Sequence, residues 1–122
     1  MYGKMNKRHS LGKRGEAYAA LFYRQRGAEI IAANVNYAVG EIDLIVREDD
    51  TYVFVEVKTR ASDAYGVAEA VTARKLARMR KAALRWLEGK PRCYVRFDVL
   101  ALVDQGAEFE VTHYEGVEDG AR

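Results

Sequence analysis

Cysteine, proline and histidine are scarce in this sequence, whose 122 residues include one cysteine, one proline and two histidines. The single cysteine, Cys93, excludes both an internal disulfide and a cysteine-rich zinc site, and its apolar neighbours are typical of a core residue. His9 and His113 are too far apart along the chain to predict a histidine-rich zinc site. If the protein binds a metal, we expect oxygen atoms to hold it.

Long apolar runs are also absent. No segment approaches the roughly 20 apolar residues that span a bilayer, and residues 1–13 lack the apolar stretch of a secretory signal. We therefore expect a cytoplasmic protein with no membrane partner. The chain is 49% hydrophobic and 31% charged, which is typical of one globular domain. The predicted organisation is a basic N-terminal arm at 1–9, a single domain at 10–114 and a flexible tail at 115–122.

Capping residues and glycines divide the chain into elements. Ser10 is a candidate N-cap for a helix that reaches about Arg26 and stops at Gly27. Thr72 is placed to cap a second helix that reaches Glu88, after a predicted loop at 59–70. Runs of β-branched and aromatic residues predict strands at 28–35, 41–47, 51–58, 93–103 and 108–114. The order αβββαββ predicts an α/β fold of the mixed α+β kind, with helices flanking one central mixed sheet.

The second and third predicted strands form a hairpin around the turn Asp49-Asp50. Side chains alternate between the two faces of a strand, so Asp43 shares a face with Glu41, and Glu56 shares one with Lys58. A symmetric turn places Asp43 opposite Glu56, and Glu41 opposite Lys58. The other face of the third strand is interpreted as the core, and its apolar residues are Val53, Val55 and Val57.

Asp43 and Glu56 form a crowded carboxylate pair in this register. Directly opposed residues have Cβ atoms about 4.5–5.5 Å apart, and at an effective dielectric near 20 two charges at about 5 Å repel by roughly 3 kcal/mol. A shared proton, the neighbouring Lys58 or a hard cation such as Mg²⁺ or Mn²⁺ would relieve that repulsion. The alternative is that Glu41 and Lys58 form a solvated ion pair on a half-exposed sheet whose carboxylates are surface groups. The spacing alone favours this alternative.

The same residues carry a resemblance to a known family. The strings Gly40–Ile45 (GEIDLI) and Val53–Arg60 (VFVEVKTR) resemble the YraN family of uncharacterised bacterial proteins, whose fold is the restriction-endonuclease-like fold of the PD-(D/E)xK nucleases. The similarity covers roughly residues 10–103. Ile42 stands where the wider superfamily has proline, although YraN-like proteins also show Gly-Glu-Ile-Asp. The further matching segments are Gly15-Glu16, Ala70-Val71-Thr72 with Lys75, and Arg96-Phe97-Asp98-Val99.

The resemblance implies a metal-dependent endonuclease that hydrolyses phosphodiester bonds in DNA, including branched DNA. It implies Asp43 and Glu56 as ligands of Mg²⁺ or Mn²⁺, Lys58 as the catalytic lysine and Glu16 as an accessory acid. The metal would polarise the phosphate and activate water, while Lys58 would orient that water or stabilise the transition state. Glu16 lies on the helix side opposite an apolar stripe, so it can line the site only if that stripe faces away. The stripe comprises Leu11, Tyr18, Leu21 and Phe22.

The second predicted helix carries a basic stripe. Arg74, Arg78, Lys81 and Arg85 recur at i, i+4, i+7 and i+11, with Lys75 on the flank. A solvated surface is one interpretation, and nucleic acid, DNA more than RNA, is the favoured partner because phosphate contacts would offset the repulsion between like charges. The alternative function is a non-catalytic nucleic-acid-binding protein that retains the fold. Paired cuts would need a homodimer, for which the sequence locates no interface.

Overall fold

The structure is a computed structural model that describes residues 7–61 and 73–117. It confirms the predicted αβββαββ order and the single mixed sheet. In the described ranges, no helix is both long enough and apolar enough to cross a membrane. The elements are α1 (Lys7–Gln25), β1 (Glu29–Tyr37), β2 (Gly40–Glu48), β3 (Thr51–Arg60), α2 (Ala73–Leu87), β4 (Tyr94–Asp104) and β5 (Phe109–Tyr114).

The five strands lie side by side in chain order, from β1 at one edge to β5 at the other. Neighbouring strands are antiparallel, except that β3 and β4 are parallel. Parallel neighbours need a long crossover connection, and the segment that contains α2 supplies it. The hairpin β2–β3 is therefore held between β1 and the parallel partner β4, in the middle of the sheet.

Both faces of the sheet are buried, which corrects the prediction of a core on only one face of β3. Val53 and Val55 pack under α1, whereas Phe54 packs under α2, and all three are fully buried. The α1 side also contains Ala19, Tyr23, Leu44, Val46, Leu100 and Leu102. The α2 side also contains Ile42, Ile45, Met79, Ala82 and Ala83.

Several predicted boundaries differ from those observed. The helix α1 begins at Lys7, so Ser10 lies inside the helix and does not cap it. Its end agrees with the prediction, since Gly27 follows with a φ of 93°. Thr72 and most of the predicted loop lie outside the described residues. In the predicted tail, Val117 N–H donates to the carbonyl of Phe97 at 2.7 Å, while residues 118–122 lie outside the described part of the chain.

Two glycines allow the helices to approach the sheet closely. A Cβ at Gly15 would overlap the side chain of Thr59, and a Cβ at Gly40 would overlap the backbone carbonyl of Arg78. Helix α1 therefore lies against the end of β3, and α2 lies against the start of β2. The residues between these two contacts, at the start of β2 and the end of β3, are those that the sequence singled out as a site.

A buried polar network links α1, β4 and β5. The Asp98 carboxylate is fully buried and accepts hydrogen bonds from Tyr23 Oη (2.7 Å), Arg96 Nε (2.9 Å) and Gly116 N (3.0 Å). His113 Nε2 lies 2.8 Å from the same carboxylate. Burial alone would raise the pKa of Asp98, but the hydrogen bonds from Arg96, Tyr23 and His113 outweigh it and lower the pKa. This network joins α1 to β4 and β5, and Arg96 extends it to Glu48 at the turn end of β2.

Candidate metal centre

The hairpin register is the one that a symmetric turn predicts. The turn is Asp49-Asp50, and β2 pairs with β3 from Glu48–Thr51 to Leu44–Val55. The next position along this register brings Asp43 to Glu56. The two predicted carboxylates therefore lie near each other just past the end of the regular ladder, close enough for the charge of Glu56 to raise the pKa of Asp43.

The ladder changes at Asp43 itself. In a regular continuation Val57 would pair with Ile42, but Val57 N–H donates instead to Asp43 Oδ2 at 2.8 Å. The alternation of β2 is interrupted at the same place, because Ile42 packs under α2 with Ile45, whereas Leu44 packs under α1. Regular alternation along β2 would put Ile42 and Leu44 on the same face, so the structure departs from it here. A break in the pleat re-aims the side chain at the break, which here is Asp43.

The neighbouring strand is irregular at the matching position. In β1, Ala33 pairs with Leu44 and Val35 pairs with Ile42, so Asn34 faces Asp43. Asn34 has a φ of 52°, in the left-handed region that few residues other than glycine adopt. An unusual backbone conformation in β1 therefore lies level with the break in β2.

Asp43 is held in an environment that disfavours its negative charge. Burial raises its pKa most, followed by the charge of Glu56 and, less strongly, that of Glu16; the Val57 N–H and Lys75 act in the opposite direction. The net effect raises the pKa of Asp43 to about 6. The crowding that the register predicted is therefore present, and a nearby positive charge would relieve it.

Lys75 supplies such a charge. Its Nζ lies 2.9 Å from Glu56 Oε2, and the Glu56 side chain is only 8% exposed. Burial lowers the pKa of Lys75, but the hydrogen bond to Glu56 and the charges of Glu56 and Asp43 outweigh it, so the pKa is raised. From the sequence, Lys75 was predicted to contact nucleic acid from the flank of the basic stripe, whereas in the structure its ammonium lies at the carboxylate site. The missed signal is spacing, because Lys75 lies one turn before the buried Met79.

Lys58 also lies at the site. It is partly buried, and its pKa is lowered first by burial and then by the positive charge of Lys75, against the opposing charge of Glu56. The alternative in which Lys58 pairs with Glu41 is not the arrangement found in the described residues, since the Glu41 carboxylate lies 4.0 Å from Arg78. A lysine with a lowered pKa next to a carboxylate pair is suited to proton transfer or to hydrogen bonding with an anionic substrate.

Glu16 borders the site from α1. The buried stripe of α1 runs through Gly15, Ala19 and Tyr23, whereas Leu21, a member of the predicted apolar stripe, is 44% exposed. The helix is therefore rotated relative to the predicted stripe. Glu16 directly follows Gly15, which packs against Thr59. The side chain of Glu16 is exposed, and its charge is near enough to raise the pKa of Asp43.

The predicted basic stripe lies on the outer surface of α2. Arg74, Arg78, Lys81 and Arg85 are all exposed. Arg78 makes a long ion pair with Glu41, and Arg85 lies 3.9 Å from Glu88, three residues further along the chain. Exposed ion pairs of this kind contribute little to stability. The stripe thus presents positive charge to solvent. It runs along α2 from the carboxylate site towards the turn before β2.

The donor set at the site fits a hard divalent cation. Asp43 and Glu56 offer carboxylate oxygens, and across 7–61 and 73–117 no group of three or more His, Cys, Asp or Glu side chains is placed to hold a metal. Mg²⁺ is commonly held by one or two carboxylates, with water and substrate phosphate completing the shell. The two carboxylates match that pattern, whereas a structural zinc site needs four protein ligands.

The arrangement of the elements defines a class. A five-stranded mixed sheet with one helix on each face, in the order αβββαββ, is consistent with the restriction-endonuclease-like core that the sequence predicted. The model of the family described as "Uncharacterised protein family UPF0102" matches residues 15–102. The chain belongs to this family, which bears out the resemblance drawn from the two hairpin strings.

Relatives of similar length support this membership. The UPF0102 protein of Corynebacterium efficiens is 48% identical over 118 residues, covering 94% of this chain and 97% of the relative. The UPF0102 protein of Corynebacterium diphtheriae is 46% identical over 115 residues, covering 93% and 94%. A UPF0102 protein of Syntrophomonas wolfei is 40% identical over 106 residues, covering 84% and 92%.

Proposed function

We propose that this protein is a nuclease that depends on Mg²⁺ or Mn²⁺ and hydrolyses phosphodiester bonds in DNA. The observation that carries the proposal is the pair formed by half-buried Asp43 and buried Glu56, with Lys58 beside it, at the end of a helix whose outer face is basic. Binding alone would need the basic face but no buried carboxylates. Their burial is costly unless a cation compensates it.

Each group has a distinct task in the proposed reaction. Asp43 and Glu56 would hold the metal, which when bound supplies Lewis acidity and lowers the pKa of water. Lys58, whose pKa is lowered, would donate a hydrogen bond to the phosphate or hold the attacking water. Glu16, exposed at the rim, would accept a proton from water. The exposed cations of α2 would bind the phosphates on either side of the scissile bond.

A second function is a DNA-binding protein that does not cleave. The observation that favours it is the ion pair between Lys75 and Glu56, which already provides a carboxylate with a cation of the protein's own. In this case the basic stripe would still bind DNA, and the carboxylates would serve only to position Lys75. The two functions differ in whether divalent metal binds at Asp43 and whether any strand is cut.

Cleavage assays separate the two functions. Labelled duplex, single-stranded and branched DNA, with an RNA hairpin for comparison, are incubated with protein and Mn²⁺. We expect cleavage of DNA by the wild type and none by Glu56→Gln or Lys58→Met. Asp50→Asn is the control, since Asp50 is an exposed carboxylate on the turn of the same hairpin. Cleavage that persists in Glu56→Gln would show that the activity has another source.

The cellular setting and assembly belong to the same proposal. We expect the protein to act on DNA in the cytoplasm. Paired cuts in a duplex need two copies of the site, which in small nucleases come from a homodimer. Sedimentation of the protein with and without branched DNA measures whether one or two copies bind, and a monomer on every substrate would limit the reaction to single nicks.

A further inference from the structure

Lys75 differs from the other cations of α2 in its partner. Its Nζ lies 2.9 Å from Glu56, whose side chain is 8% exposed. Arg78 and Arg85 instead reach carboxylates at 4.0 Å and 3.9 Å, on side chains that are more than half exposed. Lys75 therefore makes the shortest and least solvated of these three ion pairs, even though it belongs to the same helix.

The position of Lys75 on α2 explains this ion pair. It lies one turn before Met79, which is 1% exposed, so it is on the side of the helix that faces the sheet. The close approach of α2 at Gly40 brings the helix near the start of β2, where Asp43 follows. The Lys75 side chain is itself 41% exposed. Its ammonium can therefore move from the carboxylates into solvent without unpacking the helix.

The negative charge of the carboxylates limits how much positive charge the site can hold. Asp43 and Glu56 together carry two negative charges when both are ionised, and Glu16 adds a third at the rim. Lys75 and Lys58 already lie beside the pair. A divalent ion on the same carboxylates would place more positive charge next to two ammonium groups than the pair can balance. One of the ammonium groups must then withdraw, and the one on the flexible, partly exposed side chain at the helix start is Lys75.

We propose that Lys75 is the internal counter-cation of the Asp43–Glu56 pair, that a divalent metal binds there by displacing its ammonium from Glu56, and that the released ammonium then contacts the substrate phosphate. The inference rests on the proposed metal-dependent function and extends it. Without metal, the ammonium of Lys75 balances the negative charge of the two carboxylates and so stabilises the β2–β3 hairpin. With metal, the same side chain becomes a phosphate contact, so that metal binding and DNA binding strengthen one another.

The metal affinity of matched variants tests the displacement. Calorimetry with Mn²⁺ compares wild type, Lys75→Met, Lys75→Arg and Lys90→Met, the last removing a lysine that contacts Trp86 just beyond the other end of α2. We expect Lys75→Met to bind Mn²⁺ about tenfold more tightly than wild type, within the usual range of coupling between two ligands. Lys75→Arg keeps the charge and should resemble wild type, as should Lys90→Met. Equal or weaker binding by a folded Lys75→Met would overturn the inference.

A second measurement uses the wild-type protein and does not depend on how Lys75→Met folds. In protein labelled with ¹³C at lysine, the Cε resonance that is missing from Lys75→Arg reports on the Lys75 side chain. Addition of diamagnetic Mg²⁺ should shift this resonance towards that of a solvated lysine, at the same Mg²⁺ concentration that saturates the site. An unchanged resonance at saturating Mg²⁺ would show that Lys75 stays on Glu56, and the displacement would be wrong.

The outcomes also separate this inference from the proposed function. If wild type binds Mn²⁺, Asp43→Ala does not, and Lys75→Met matches wild type, the metal site stands and the counter-cation role falls. If wild type binds no Mn²⁺ but Lys75→Met does, Lys75 is a counter-cation that metal does not displace, so the metal-dependent reaction falls together with the displacement step. If no variant binds Mn²⁺, both fall.

Discussion

The carboxylate of Asp43 accepts a hydrogen bond from the backbone N–H of Val57 at 2.8 Å. A side chain on β2 thereby takes the place of a backbone carbonyl in the ladder between β2 and β3. Asp43 belongs to β2, and Val57 directly follows Glu56 in β3. The hydrogen bond therefore ties the side chain of Asp43 to the backbone next to Glu56. Changes in the charge of Asp43 should therefore alter the stability of the hairpin as well as any metal bound to it.

The first prediction concerns pH and the stability of the metal-free protein. The pKa of Asp43 is raised from about 3.9 in an unfolded chain to about 6 in the folded state, so the folded state binds this proton more tightly. Ionisation of Asp43 thus lowers stability progressively as pH rises from about 4 to about 6, by roughly 2–3 kcal/mol when complete. Asp43→Asn cannot ionise and keeps an oxygen acceptor for Val57. It should be the more stable protein at pH 7.

Urea unfolding in the presence of EDTA, over that pH range, checks this prediction. The difference in the free energy of unfolding between Asp43→Asn and wild type should grow with pH and then level off. Asp50→Asn, on the exposed turn, serves as the control for loss of a carboxylate from the same hairpin. A constant difference at all pH values would mean that Asp43 does not titrate in this range. Saturating Mg²⁺ should narrow the gap by stabilising only the wild type.

A second prediction concerns the buried Asp98. Asp98→Ala leaves the Arg96 guanidinium without the carboxylate that lies 2.9 Å from its Nε, and leaves Tyr23 and His113 without their shared acceptor. Removal of one partner from a buried ion pair costs about 3–5 kcal/mol, and we expect the lower end because Glu48 still contacts Arg96 at 3.0 Å. Urea unfolding at pH 7 measures the decrease in stability.

The sign of the pH dependence at Asp98 is opposite to that at Asp43. Its pKa is lowered in the folded state, so it stabilises the protein fully above the unfolded pKa of about 3.9, and this stability is lost as pH falls through the folded value. Asp98→Asn should therefore lose less stability than wild type on acidification below about pH 4. Equal acid sensitivity in the two proteins would count against this assignment.

The parts of the fold that follow local rules were predictable from sequence. The turn Asp49-Asp50 sets the register of β2 and β3, and that register brings Asp43 to Glu56 without any knowledge of the remaining strands. Element types and order follow from β-branched runs and helix periodicity. The start of α1 was misplaced because Ser10 is a good N-cap in isolation, and a cap preference is weak against the option of extending the helix by one turn.

The features that were missed depend on contacts between distant segments. The pleat break at Asp43 lies level with Asn34 of the neighbouring strand, which has a positive φ, and ideal alternation along β2 cannot show it. Lys75 reaches Glu56 because Gly40 lets α2 approach the sheet, a contact between residues far apart in the sequence. The rotation of α1 that turns Gly15 inward also depends on a contact between distant segments. Gly15 has no side chain to mark it as a core residue, and it faces Thr59 because a larger residue would not fit there.

The third prediction tests the close approach of α2. Gly40→Ala would place a Cβ against the carbonyl of Arg78, a backbone atom that cannot move without shifting the helix. We expect urea unfolding at pH 7 to show a decrease of about 1–3 kcal/mol in the free energy of unfolding. Gly12→Ala is the matched control, since a Cβ there meets nothing within 4 Å and lies in a helix. That control should be neutral or stabilising by about 0.5–1 kcal/mol.

The fourth prediction concerns the basic stripe and is independent of catalysis. Removing one cation that binds a phosphate should reduce the slope of log affinity against log salt by about 0.9 on duplex DNA. Arg78→Gln and Lys81→Gln together should therefore flatten the slope by about 1.8, with weaker binding at low salt and little change in sequence preference. Neutral replacements are preferable to charge reversal, since Glu41 lies 4.0 Å from Arg78 and a second carboxylate there would repel it.

Fluorescence anisotropy with labelled duplex DNA and Ca²⁺, an ion that occupies carboxylate sites, measures the slope between about 50 and 200 mM KCl. Arg24→Gln is the control because Arg24 is an exposed cation on α1, which packs on the opposite face of the sheet from α2. A slope that changes equally in Arg24→Gln would mean that net charge alone governs binding. A slope unchanged in the double variant would mean that DNA binds to another surface. The basic stripe of α2 would then not be the DNA-binding surface.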